Sequence, residues 1–227
     1  MGGFGSPFFF MTTLTYATST ELDAVNSILM SVGESPVNTL DTQSPEVAIA
    51  QKTLRQVCRE VQAEGWAFNS EIEFPLPVDN NNEIEFPANA LQVDPNRYKH
   101  ADNYDVVRRT RTLATGQQVA QLYDRYKHTN KFTDLTENIL YCDIIWLYEF
   151  DDMPQPFRDY VTAKASRIAS NRMISSPEAN EVMSPDEQLA RASCIQYDTN
   201  QADYNIFQDS SQRNPYQGYQ PFQVIKR

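Results

Sequence analysis

Histidine, glycine and cysteine are scarce in this chain of 227 residues, which holds 2, 7 and 3 of them. Each shortage removes a class of chemistry. His100 and His128 are too few for a multi-histidine metal centre, and neither is surrounded by the H-E-x-x-H or G-x-S-x-G spacing of metallohydrolases and serine hydrolases. Both read as surface imidazoles. The glycines never cluster between a strand and a helix, so the sequence offers no loop to cradle a phosphate. Cys58, Cys142 and Cys194 are odd in number, far apart and without C-x-x-C spacing, which reads as buried thiols rather than a zinc or disulfide site. Long apolar runs are missing as well. Phe8-Phe9-Phe10-Met11 is far shorter than a signal or membrane-spanning segment and no basic residue precedes it, so no membrane anchor is expected. No cofactor and no metal are implied.

What the chain has in excess is acid. Thirty Asp and Glu against 19 Lys and Arg give a net charge of −11, which repels a phosphate backbone and argues against a general nucleic-acid coat. Apolar residues at 41% and aromatics at 11% are enough for an ordered core.

The hydrophobic period changes twice along the chain. Thr18-Ser19-Thr20-Glu21 offers a capping box, after which Leu22, Val25, Ile28, Leu29 and Val32 recur at helical spacing until Gly33. Ser44-Pro45-Glu46 opens a second helix whose stripe is Val47, Ala50, Leu54, Val57, Cys58 and Val61, ending at Gly65 before Trp66. Trp66, Phe68 and Trp146 read as ordinary core. From Asn69 the period falls to two, and Glu-Ile-Glu-Phe-Pro occurs at 71–75 and again at 83–87. The two units predict a β-hairpin or two short strands, with the turn at 79–82, Ile72, Phe74, Ile84 and Phe86 facing a core and Glu71, Glu73, Glu83 and Glu85 facing out. Further strands are expected at 105–109, 119–125 and 139–150.

Helical spacing returns after Asp151-Asp152-Met153-Pro154. Phe157, Tyr160, Val161, Ala165 and Ile168 form one face of a third helix reaching about Met173, with Lys164, Arg167 and Arg172 on the other. A fourth stretch from about Ser176 to Tyr197 carries Ala179, Val182, Met183, Leu189, Ala190 and Cys194, with Pro185 a place where it could start afresh. The order predicts an α+β protein, a bundle of about four helices from the N- and C-terminal parts with an inserted antiparallel β-rich domain. The expected boundaries are an extension at 1–17, bundle at 18–68, β-rich domain at 69–150, bundle again at 151–207, and a Tyr, Gln and Pro-rich arm at 208–227 that orders against a partner.

Between residues 97 and 131 the balance of charge reverses, with eight cations against Asp102, Asp105 and Asp124. With Tyr98, Tyr104, Tyr123 and Tyr126 interleaved, the segment can be read as a nucleic-acid platform or as a plain basic sheet face. Charge segregation favours a third reading, in which this face meets acidic surfaces of neighbouring copies or partners. Arg108, Arg109, Arg111, Arg125 and Lys127, with Tyr216 and Tyr219 of the arm, are the candidate partner-interface residues. The four glutamates of the repeated unit could supply a glycosidase-like carboxylate pair, which leaves a cell-wall-degrading enzyme as the alternative function. Alternation on the outer face of a strand explains the same residues without a cleft.

Several motifs in order match a family. Ala24-Val25-Asn26, Ile28-Leu29, Gly33-Glu34, Pro36-Val37, Thr39-Leu40 and Gly65-Trp66 with Phe68-Asn69, then Tyr123-Asp124-Arg125, Asp152-Met153-Pro154, Phe157-Arg158, Lys164-Ala165-Ser166-Arg167, Asn171-Arg172 and Pro177-Glu178, resemble the tail tubular protein A family of short-tailed, T7-like bacteriophages. The resemblance covers most of residues 20–200 and leaves both ends unmatched. It implies a non-enzymatic head-to-tail adaptor of the virion, assembled in the host cytoplasm. Copies of the chain would form a ring of about twelve under the portal protein. The tail nozzle, tail tubular protein B, would lie below that ring and tail fibres near the junction, with genomic DNA passing through the lumen without specific binding.

Overall fold

The computed structural model describes residues 18–41, 44–100, 103–112, 116–174 and 177–202. Tyr216, Tyr219 and the rest of the arm lie outside the described residues, as does the expected N-terminal extension. Helices α1 (Glu21–Ser31), α2 (Pro45–Gln62), α4 (Gln155–Met173) and α5 (Pro177–Gln201) build the bundle. Between α2 and α4 the chain makes β1 (Ser70–Pro77), β2 (Ala90–Pro95), the single-turn α3 (Arg97–His100), β3 (Val106–Thr112), β4 (Gln118–Asp124) and β5 (Ile139–Trp146). The fold is α+β with an inserted antiparallel β region.

Local chemistry sets the helix ends. Thr20 accepts from the Asp23 N–H while Asp23 reaches back to the Thr20 N–H, closing a capping box on α1. At the other end Glu34 donates to the Leu29 carbonyl and Gly33 to that of Met30, with Gly33 at φ +85° where a side chain would be strained. Ser44 precedes α2 but does not cap it, because its hydroxyl donates to Glu46 instead. All six residues of the expected α2 stripe are buried.

Helix α4 touches α1, α2 and α5, and it is the axis of the bundle. Its cations are not a free outer face, as its sequence suggested. Lys164 reaches Glu60 of α2, Arg167 pairs with Glu187 of α5, and Arg172 donates to Thr53 and Gln56 of α2. A helix enclosed on three sides has no single polar face, so its charges clasp the neighbours that cover it. Arg158 is 7% exposed, and its guanidinium donates to the carbonyls of Met153, Ser19 and Asp151, tying the start of α1 to the start of α4. Helix α5 runs through Pro185 without restarting.

The three-stranded sheet has the order β1-β5-β2, with both edges antiparallel to β5. Leu140, Cys142 and Ile144 of β5 are buried at alternate positions and centre a second core with Leu76, Ile84 and Leu122. The repeated Glu-Ile-Glu-Phe units do not pair with each other. The turn between them forms, with Asp79 accepting from the N–H groups of Asn81 and Glu83. The second unit then lies along β4 instead, through Phe86 N–H to Ala120 and Leu122 N–H to Ile84. Pro75 and Pro77 remove two donors from β1, which suits it to an edge. A bulge between Glu71 and Phe74, with Glu73 at φ 57°, shifts the phase of β1 and leaves Ile72 exposed rather than in the core.

Two buried amides join bundle and sheet. Gln62 donates to the Tyr148 carbonyl and accepts from the Tyr148 N–H. Asn69 accepts from Trp66 N–H and donates to the carbonyls of Gln62 and Trp146. Gly65 lets the chain pass closely, since a Cβ there would lie 2.8 Å from Ile145 Cδ1. Asn69→Ala would leave the buried Trp66 N–H without its side-chain acceptor and take the amide donor from the Gln62 and Trp146 carbonyls, and should cost about 2 kcal/mol, read as a lower urea midpoint at unchanged slope; a loss below about 0.5 kcal/mol would contradict this role.

Candidate interaction surface

The antiparallel β3–β4 ribbon carries the basic residues outward. Its register sets Val107 opposite Tyr123, Arg108 opposite Leu122, Arg109 opposite Gln121 and Arg111 opposite Val119, so Arg108 and Arg109 lie on opposite faces. Val106 anchors the start of β3 in the core, while Arg108 to Thr112 are exposed.

Neutralisation divides the five candidate cations. Arg111 pairs with Glu83, which also accepts from Asn130 at 2.7 Å. Arg125 pairs with Asp105 at 2.8 Å, and hydrogen bonding to that carboxylate raises the affinity of the guanidinium for its proton. Lys127 pairs with Asp134, whose carboxyl it holds below the usual carboxylate range. Among the described residues, no carboxylate meets Arg108 or Arg109. Both are held by rings: the Arg109 guanidinium lies 3.6 Å from the Tyr123 centroid, and that of Arg108 lies 5.3 Å from Phe86. The structure thus brings the five together on one ribbon and its following turn, but leaves two of them with charge to offer.

The glutamates of the repeated unit are engaged separately. Glu71 accepts from the Trp146 indole, Glu73 lies 3.6 Å from Lys99, Glu83 holds Arg111, and Glu85 is exposed beside the bridge to Gln121. All three cysteines are buried, and burial pushes the thiols of Cys58 and Cys194 up to about 12 and raises that of Cys142 as well. Among the described residues no group of three His, Cys, Asp or Glu side chains has a metal-binding arrangement. No described helix is long and apolar enough to cross a membrane.

A model of the tail tubular protein family matches residues 22–204, spanning the bundle and both sheets. The chain belongs to the tail tubular protein family. It is a structural component of a phage tail, and its surfaces serve contacts within the tail assembly. No curated relative matches it.

Two features of this tail protein were not visible as surface chemistry in its sequence. The aliphatic residues Met30, Ile49, Ile174 and Val182 are exposed although they fall within or next to helical apolar patterns. Met30 and Ile49 sit off the buried phase of their own helices, whereas Val182 was expected on the apolar stripe of its helix and is 72% exposed. The second is His100, which is half-buried rather than a surface imidazole: its Nε2 accepts from the Tyr141 N–H at 2.9 Å. His128 is exposed in a turn at φ 53°. A polar cleft of about 300 Å³ lies beside His100, between Asp94, Tyr104 and Tyr126.

His100 must be neutral to accept that hydrogen bond, and burial, with Lys99 beside it, lowers its pKa below 6.5. A base with a lowered folded pKa contributes stability in full above the unfolded value, and that contribution is lost as pH falls through the folded one. Stability should therefore decline on acidification below about pH 6.5, and His100→Gln, which keeps an acceptor without titrating, should flatten that decline. Urea midpoints at about pH 5 and about pH 7.5 read it; equal slopes for both proteins would contradict it.

Proposed function

We propose that this tail tubular protein is of the A type and forms the adaptor ring between the portal and the nozzle of a short-tailed phage, extending the DNA channel and supporting the tail fibres. The observation that carries this reading is the family match over the bundle and both sheets, joined to the ordered motifs from Ala24 to Pro177. Copies would associate in a ring of about twelve, with the portal above and tail tubular protein B below.

Charge supports the channel role. A ring of subunits that each carry −11 offers passing phosphates little counter-charge to bind, so DNA moves through without specific contacts. The reading requires Arg108 and Arg109 to face away from the lumen, toward protein. A monomer that assembles only on a preformed portal avoids premature rings, and the purified chain is accordingly expected to be monomeric.

Sedimentation of the full chain with and without portal rings of the same phage, at physiological salt, tests this. The chain alone should sediment as light material and should saturate the portal as a ring; a folded chain that never co-sediments with the portal would overturn the reading.

A further inference from the structure

The far end of the bundle has the makings of an interface. Ser19 bonds Gln155 and Ser31 bonds Ser166, so α1 and α4 run parallel. Helices α2 and α5 run the other way, because Arg172 near the end of α4 meets Thr53 and Gln56, while Asn171 meets Asn180 and Cys194 meets Pro156. The end of α1, the start of α2, the end of α4 and the start of α5 therefore share one pole, opposite the junction with the sheets. Met30, Ile49, Ile174 and Val182 come one from each of these four places and are 41% to 72% exposed. Aliphatic side chains exposed at one pole are costly to leave in water.

Glu34 and Glu181 at the same pole, and Asp186 further along α5, are exposed, and among the described residues none of the three pairs with a cation. The ribbon is the chemical complement. Arg108 and Arg109 keep their charge, aromatic rings fix their guanidinium groups, and Tyr126 at the end of β4 is 63% exposed.

We propose that the acid-rimmed apolar pole of the bundle receives the β3–β4 ribbon of a second copy of this chain. The face of the ribbon that carries Arg109 meets Glu181 and Asp186 while the exposed aliphatic side chains are covered. Pole and ribbon share no residue, so each copy can give one and receive the other. A contact of this heterologous kind repeats from copy to copy and closes into a ring when its rotation allows. Opposite charges set its register and disfavour ribbon-to-ribbon or pole-to-pole pairing. The proposal deepens the ring reading above by naming the surfaces that the copies use.

Cysteine trapping in the full chain tests it, because the three native thiols are buried and held protonated. Arg109→Cys and Glu181→Cys proteins are mixed, oxidised with copper phenanthroline, alone and on portal rings, and the disulfide products are identified by mass spectrometry. The expected result is a mixed dimer severalfold above that from Arg109→Cys with Gln196→Cys, an exposed position at the opposite end of α5. Asp186→Cys in place of Glu181→Cys should give the same product. A second arm reverses charge: Arg108→Glu with Arg109→Glu should lose the self-contact severalfold, and Glu181→Lys with Asp186→Lys in the partner copy should restore it. Mixed dimers no more abundant than the control in both settings, or no restoration by the reversed partner, would overturn the proposal. Normal portal binding with no specific cross-link rejects this interface and leaves the adaptor reading standing. A specific cross-link without portal binding does the opposite.

Discussion

Everything in this protein hangs on a junction in which two buried side-chain amides span the two places where the described residues pass between bundle and sheet. Gln62, at the end of α2, takes both backbone groups of Tyr148 on the return path. Asn69, on the outgoing path, ties Trp66, Gln62 and Trp146. Buried backbone groups must be paired, and an amide that offers a donor and an acceptor can pair two crossing segments at once. Trp66 packs edge-on against Phe157 of α4, 5.0 Å between centroids, so the same turn is also seated in the bundle core. The result is one continuous body with two hydrophobic cores.

Elements whose signals are local were legible in the sequence. The α2 stripe needed only a 3.6-residue period and the Pro45 start, and α1 needed only its box and Gly33. The α+β class followed from two changes of period. Partner choice was not legible, because strand pairing is a non-local decision. The two Glu-Ile-Glu-Phe units look like a hairpin until the prolines of β1 and the empty edge of β4 are considered together. Strand β2, which ends in Asp94-Pro95, carries too little alternation to announce itself and is held by β5.

The surface was legible as composition and not as geometry. Counting charges found the basic stretch, but only the fold shows that Glu83, Asp105 and Asp134 silence Arg111, Arg125 and Lys127 while Arg108 and Arg109 stay available. Periodicity likewise placed Val182 in an apolar pattern, yet α5 turns it 72% into solvent. His100 looked incidental because a backbone N–H as partner leaves no trace in side-chain spacing. Its role is structural, which fits a protein whose work is assembly.

A tail component of this kind is defined by where it sits and what it turns toward the DNA. A density map of the assembled tail at side-chain resolution measures both together. The account predicts repeated copies of this chain between portal and nozzle, carboxylates toward the channel, and Arg108 and Arg109 buried against protein. Copies located elsewhere in the tail, or Arg108, Arg109 and Arg111 lining the channel, would contradict it.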